Sequence, residues 1–168
     1  WLGSVLGVAA LRGRDKLTLV TSPSISSFGL WAEQLLAEST GKEGRGIVPV
    51  ADEPLLAPGS YGHDRQFVYL RVQGDDNSET DSAFAGIEAS GQPALRLELR
   101  DRYDLGAEFF RWEMATAVAG SIFGINAFNQ PDVEASKNAT RKLTAAYEET
   151  GQLPDETPFV EDRGLRFF

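Results

Sequence analysis

The chain has 168 residues, a net charge of −9 and no cysteine. A chain of this length fits one domain with one core, and the lack of cysteine excludes a disulfide framework, a thiolate nucleophile and a cysteine metal site. An acidic protein lacks the basic surface that nucleic acid requires, and no apolar run is long enough to cross a bilayer. We therefore expect no nucleic-acid or membrane partner, and the composition is compatible with a cytoplasmic protein.

Strand-like and helical patterns alternate along the chain. Runs rich in β-forming residues cover residues 16–20, 46–50, 66–72 and 94–99. Helical patterns cover residues 1–12, 24–40, 79–90, 105–125 and 131–150. Strands that alternate with helices form parallel βαβ units. The sequence therefore predicts an α/β fold with a doubly wound parallel sheet of about five strands, one of them weakly marked, and helices on both faces.

The ends of the chain differ in character from its middle. We predict one domain over residues 1–151 and an extended tail over residues 152–168 that packs on this domain or on a partner. The chain opens with an apolar helix that no capping residue precedes. This start is expected of a fragment of a longer protein.

Two of the predicted helices show which side should face the core. Helix 24–40 carries on one side Ile25, Phe28, Ala32, Leu35 and Leu36. Helix 105–125 carries a longer apolar stripe, made of Phe110, Met114, Ala117, Val118, Ile122 and Ile125.

Glu38 is the first candidate for chemistry. Gln34 and Glu38 are four residues apart and share a face of the predicted helix. Glu38 falls in the last turn, before a plausible C-cap at Thr40 and Gly41. The negative end of the helix dipole favours the protonated form of a carboxyl group, which suits a base that takes a proton from carbon and returns it. The alternative is a solvated glutamate with Lys42 as its ordinary partner.

Lys137 is the second candidate. Pro131 suits the first position of a helix, with Gln130 or Asn129 as the cap. Lys137 then shares a face with Val133, near the core-facing edge. Its ammonium group either extends into water, as is usual, or reaches into a cleft as a fixed cation.

Two further places in the chain carry polar groups of interest. His63 is the only histidine, and histidine exchanges protons near neutral pH, although a lone loop histidine is more often exposed and without a role. The hydroxyl-rich residues 21–27 follow the first strand and open a helix, where they could bind phosphate or act as ordinary caps. No glycine-rich phosphate motif accompanies them, so we interpret this loop as structural.

Two segments resemble the phosphoglucose isomerase family. Residues 34–42 read QLLAESTGK, similar to the family's Gln followed by Glu-Ser-x-Gly-Lys. Residues 124–137 read GINAFNQPDVEASK, similar to a C-terminal signature in which an aromatic residue, Asp or Asn, and Gln precede Val-Glu and a functional Lys. The letters WAEQ at 31–34 and FFRWE at 109–113 are closest to the isomerase part of bifunctional transaldolase/phosphoglucose isomerase proteins.

The resemblance implies a sugar-isomerase (SIS) domain and the interconversion of glucose 6-phosphate and fructose 6-phosphate through a cis-enediol, without cofactor. No metal site is expected either, because the acidic pairs at 52–53 and 75–76 have no histidine or third carboxylate at ligand spacing. The resemblance makes Glu38 the base that moves a proton between C2 and C1. It makes Lys137 a ligand of the sugar ring that aids ring opening. It makes Gln34 and Gln130 hydrogen-bonding contacts of the substrate.

The resemblance also implies partners. The family donates a ring-opening histidine across a dimer interface from just before a strand, where His63 or Arg65, next to Asp64, falls in this chain. This exchange of histidines implies a homodimeric parent. The family holds the phosphate mainly with a first SIS domain upstream, so we expect the isolated chain to be inactive. A non-catalytic sugar-phosphate-binding SIS domain is the rival class, and it needs neither Glu38 nor Lys137.

Overall fold

The computed structural model describes residues 1–168, which form two compact units, Trp1–Asn129 and Gln130–Phe168. The first unit contains, in order, α1 (Leu2–Leu11), β1 (Lys16–Thr21), α2 (Ser27–Thr40), β2 (Val48–Ala51), β3 (Arg65–Val72), α3 (Ser78–Ala89), β4 (Ala94–Leu99) and α4 (Leu105–Phe123). The second contains α5 (Pro131–Thr150) and an antiparallel hairpin of β5 (Val160–Asp162) and β6 (Leu165–Phe167). The packing of residues 152–168 on the domain or a partner stays a prediction.

The sheet of the first unit is parallel, with strand order β2-β1-β3-β4. The central strand β1 pairs with two neighbours, so that Lys16 lies opposite both Val48 and Arg65. The predicted α/β class and doubly wound parallel sheet are confirmed. The sheet has four strands rather than about five, because the chain passes from β4 into α4 and adds no further strand to it.

Helices cover both faces of the sheet. The larger core cluster joins α1, α2 and α4 to one face and includes Leu6, Leu17, Leu19, Leu36, Leu70 and Trp112. The smaller cluster joins α3 to the other face and includes Val20, Phe67, Tyr69, Phe84 and Ile87. Alternate residues of β1 enter different clusters, as the pleat of a strand requires. None of the helices combines the length and the apolar character needed to cross a bilayer.

Small residues set the distance between α1 and α4. A Cβ added to Gly3 would lie 2.2 Å from the carbonyl oxygen of Ala115, and one added to Gly7 would lie 3.2 Å from the Cα of Ala119. At Gly3 any side chain would collide with the backbone of α4, and at Gly7 it would make a tight contact. The contact therefore fixes which side of α4 is turned inward.

The predicted inward stripe of α4 is wrong for Phe110 and Met114, which are 67% and 49% exposed, whereas Ile125 beyond the helix end is buried as predicted. The buried face instead consists of Glu108, Trp112, Ala115, Thr116, Ala119, Gly120 and Phe123. The helix is rotated because its small residues, rather than its large ones, meet α1. For residues 24–40, by contrast, the predicted inward side is confirmed, with Ile25, Phe28, Ala32 and Leu36 buried.

Glu108 is a buried carboxyl group on this rotated face. Its side chain is 4% exposed, and its Oε1 lies 3.2 Å from Nη1 of Arg111. Its Oε2 has no hydrogen-bond partner. Burial raises the pKa of Glu108, and the positive charge of Arg111 offsets part of that effect. The folded protein therefore holds a proton on Glu108 more tightly than the unfolded chain does.

This difference makes the stability pH-dependent. As the pH rises from the unfolded pKa of about 4.3 through the raised folded pKa, the native state loses stability. We expect Glu108→Gln to raise the free energy of unfolding relative to the wild type at pH 7, and to change it little at pH 4 or below. Urea unfolding at the two pH values measures this, with the exposed Glu113→Gln on the same helix as control. A difference that stays constant with pH would contradict the assignment.

Candidate active site

Glu38 lies at the amino-terminal edge of the sheet. Helix α2 returns from the carboxyl end of β1 to the start of β2, and Glu38 is in its last turn. The side chain is exposed, and Nε2 of Gln34 donates to Oε1 of Glu38 at 3.2 Å. The predicted shared face of these two residues is confirmed, and Gln34 orients the carboxylate.

The end of α2 is fixed by its own hydrogen bonds. The N–H of Gly41, the predicted C-cap, donates to the carbonyl of Ala37 at 3.0 Å. The hydroxyl of the buried Thr40 donates to the carbonyl of Leu36 at 2.7 Å and accepts from the N–H of Ile47 at 2.9 Å. Thr40 therefore ties the last turn of α2 to the segment that leads into β2.

A two-residue hairpin follows the helix. Lys42 and Arg45 exchange two backbone hydrogen bonds, of 3.1 and 2.9 Å. Between them, Glu43 and Gly44 have φ values of 55° and 71°, the pair of positive angles that a type I′ turn requires. The hairpin therefore carries two cationic residues, Lys42 and Arg45, directly opposite each other.

Lys42 joins the two segments that carry the family resemblance. It is 6% exposed, and its Nζ donates to the carbonyl of Asn126 at 2.9 Å and to that of Asn129. From the other end of the hairpin, Nη1 of Arg45 donates to the carbonyl of Phe123. Lys42 thus binds the second segment and is not the partner of Glu38. The sequence does not reveal this contact, because Glu-Gly is not among the dipeptides that mark a two-residue hairpin.

The turn at 124–129 is itself well defined. Gly124 has a φ of 73° and ends α4, and the N–H of Ile125 donates to the carbonyl of Gly120 at 3.0 Å. This is the bond of a Schellman cap. A Cβ on Gly120 would lie 2.9 Å from that of Ala127, so the turn folds back closely against the helix. The carbonyls of this turn are therefore fixed acceptors for the ammonium group of Lys42.

Gln130 and Lys137 belong to the second unit. Helix α5 begins at Pro131 with Gln130 as its N-cap residue, as predicted. The carbonyl of Gln130 accepts from the N–H of Glu134 at 3.1 Å. Lys137 is exposed, and its Nζ lies 3.3 Å from Oε1 of Glu134 on its own helix. The roles predicted for both side chains stay predictions.

His63 and Arg65 lie at the amino-terminal end of β3, on the same sheet edge as Glu38. His63 is exposed. Arg65 is held inside the domain, where its Nη1 donates to Oγ1 of Thr18 at 2.8 Å and to Oε2 of Glu53 at 2.9 Å. Of the two candidates for the ring-opening position, His63 has the free side chain.

The opposite, carboxyl-terminal edge of the sheet is acidic. Here the N–H of Ser24 donates to Oδ2 of Asp75 at 3.0 Å, so a carboxylate already occupies the start of this helical segment. A cleft of about 410 Å³ lies here, lined among others by Thr21, Ser26, Asp52 and Glu79. Another cleft, of about 430 Å³, lies at the amino-terminal edge beside Gly41 and Arg45, and Glu38 does not line it. Carboxylates repel a phosphate, which supports the structural interpretation of residues 21–27.

No family model matches the chain. Curated relatives include a probable glucose-6-phosphate isomerase of Haloarcula marismortui, 30% identical over 83% of this chain and 38% of that protein. One of Methanococcus maripaludis is 33% identical over 74% of this chain and 36% of that protein. A glucose-6-phosphate isomerase of Rubrobacter xylanophilus is 29% identical over 78% of this chain and 39% of that protein. The chain thus spans less than two fifths of the length of these relatives.

A solved structure has a similar fold. The crystal structure of a hypothetical protein from Thermus thermophilus superposes with a TM-score of 0.69, over 85% of this chain and 44% of that one. The sequence identity is 19%, so the likeness concerns the fold alone.

The hydrogen bonds of Thr40 lead to a stability prediction. Thr40→Val keeps the shape of the side chain but leaves the N–H of the buried Ile47 without its acceptor. A buried polar group that loses its partner costs about 1–3 kcal/mol, so we expect the free energy of unfolding to fall by that much. Ser39→Ala, at the preceding position, serves as control and should change stability by less than about 0.5 kcal/mol. Equal effects of the two substitutions in urea unfolding would contradict the role given to Thr40.

Proposed function

Because the chain belongs to the glucose-6-phosphate isomerase family, we propose that it supplies part of an enzyme that interconverts glucose 6-phosphate and fructose 6-phosphate. One observation carries the proposal: the helix end that bears Glu38 and the turn that precedes Gln130 are joined through Lys42. Segments 34–42 and 124–137 are far apart in the sequence, each resembles the family separately, and Lys42 contacts two of the first six residues of the second. Their direct contact supports a common site.

In this proposal Glu38 moves a proton between two carbons of the open-chain sugar. Its carboxylate removes the proton from C2 of the aldose, and the electron pair of that C–H bond forms the C1–C2 double bond of a cis-enediol as O1 gains a proton. The carboxylic acid then returns its proton to C1 while O2 loses its own and becomes the carbonyl of the ketose. The reaction is balanced without an oxidant or a reductant, and Gln34 holds the carboxylate in place.

Ring opening precedes this proton transfer. We assign Lys137 to the stabilisation of a ring oxygen and Gln130 to a hydrogen bond with the sugar, following the family pattern. His63 is the better candidate for the acid, because Arg65 is held by Glu53 and Thr18. The exposure of His63 at the edge that carries Glu38 supports this choice.

We propose that a further SIS domain of the parent protein holds the phosphate and that the parent is a homodimer. The acidic cleft at the carboxyl edge is a poor phosphate site, and the relatives are more than twice as long as the matched region. Large apolar side chains exposed on α1 and α4, among them Val5, Phe110 and Met114, support a partner surface. Fusion to a transaldolase and inactivity of the isolated chain stay predictions.

A non-catalytic sugar-phosphate-binding domain is the second candidate. One observation favours it, since the ammonium group of Lys137 pairs with Glu134 on its own helix instead of standing free for a ligand. Such a domain would bind a sugar phosphate without converting it. Substitution of Glu38 separates the two candidates.

Glu38→Gln keeps the size of the side chain and removes the base. General-base catalysis contributes about 10²- to 10⁴-fold, so we expect kcat of the full-length parent to fall by that factor with KM nearly unchanged. A coupled assay from fructose 6-phosphate measures both constants. The exposed Glu43→Gln is the matched control and should retain activity. A kcat for Glu38→Gln within about threefold of wild type would reject Glu38 as the base.

Lys137→Ala tests the role in ring opening. If the ammonium group stabilises the sugar ring, turnover of the cyclic substrate should fall by about tenfold or more. The melting temperature should hardly move, because loss of an exposed helical lysine changes stability by about 0.5 kcal/mol or less. Lys142→Ala, exposed on the same helix, is the control for both measurements. A large loss of stability with intact kinetics would instead show a structural lysine.

A further inference from the structure

Lys42 carries a buried positive charge with no carboxylate partner. It is 6% exposed, and its side chain takes part in none of the ion pairs of the chain. Buried lysines are normally paired with an acid. Here two backbone carbonyls, those of Asn126 and Asn129, accept hydrogen bonds from Nζ across 84 and 87 residues of sequence. A cation that binds two carbonyls so far away in the sequence indicates a specific task.

Capping of α4 does not explain this arrangement. Cations near the carboxyl end of a helix are favoured by its last carbonyls, but that position is taken by Arg45, which donates to the carbonyl of Phe123. Gly124 completes the cap. The acceptors of Lys42 lie beyond the helix, in the turn that follows it. The two cations of the hairpin therefore bind different carbonyls: Arg45 binds the last one of α4, and Lys42 binds two in the turn after it.

We infer that Lys42 is a positioning residue, whose ammonium group holds the Asn126–Asn129 turn against the end of α2 and so fixes the backbone immediately before Gln130. An ammonium group suits this task because its single nitrogen carries three N–H donors, so one side chain can bind two carbonyls. This inference rests on the proposed function, which gives Gln130 a hydrogen bond to the sugar.

The effect expected on catalysis is specific. Loss of the ammonium group frees two carbonyls and with them the turn, while Glu38, Gln34 and the cap at Gly41 keep their contacts. A loosely held contact residue lowers kcat, because orientation of the substrate in the transition state is lost. A residue that only stabilises the fold would leave the kcat of the folded fraction unchanged.

The experiment compares two substitutions in the same hairpin of the full-length protein. Lys42→Met keeps the length of the side chain and removes its charge and donors, and Arg45→Met does the same at the helix end. We expect Lys42→Met to speed amide hydrogen exchange at Phe128, whose N–H donates to Oδ1 of Asn126 within the turn at 2.9 Å. We also expect it to lower kcat, each effect being about tenfold or more, with KM within about threefold. Arg45→Met should lose comparable stability in urea and keep kcat within about threefold. Where Lys42→Met does not fold, Lys42→Arg, which keeps the charge but spreads its donors, takes its place.

Two results would overturn the inference. The first is a kcat that falls equally in both variants and in step with stability, since Lys42 would then be structural. The second is unchanged hydrogen exchange at Phe128 in Lys42→Met, since the ammonium group would then not hold the turn. Because exchange needs no substrate, it tests the contact even if the wild-type protein shows no isomerase activity, a result that would reject the proposed function separately.

Discussion

The close approach of α1 and α4 is the constraint on which the rest of the first unit depends. Gly3 and Gly7 bring the two helix backbones together at Ala115 and Ala119. This contact sets the rotation of α4, and the rotation in turn directs the end of the helix at Phe123 towards the hairpin after α2. Arg45 can reach the last carbonyl of α4, and Lys42 the carbonyls of the turn that follows, only because the helix ends there.

Most of the secondary structure could be predicted because it is encoded locally. The β-rich runs, the helical periods and Pro131 at the first position of α5 all act within a few residues. The buried side of α4 could not be predicted from its own sequence. Its large side chains, such as Phe110 and Met114, give the stronger apolar pattern, while the choice of the small-residue side is dictated by two glycines on another helix.

The candidate site divides in the same way. The pairing of Gln34 with Glu38 follows from a spacing of four residues on one helix, so the sequence predicts it. The contact of Lys42 does not follow from any spacing, because its acceptors are backbone carbonyls that every residue possesses. Residue types alone suggested Glu38 as its partner. Only the three-dimensional course of the chain shows that the ammonium group turns towards Asn126 and Asn129.

The span of the Lys42 contact has a consequence for folding kinetics. Its two hydrogen bonds close loops of 84 and 87 residues, whereas the parallel strand pairs β1–β2 and β3–β4 close much shorter ones. Contacts between distant residues form late, since the chain must lose the entropy of the whole loop before it gains the bond. The hairpin and the turn should therefore meet after the strands of the sheet have paired. A folding intermediate with a complete sheet would still lack the contact of Lys42 with the turn.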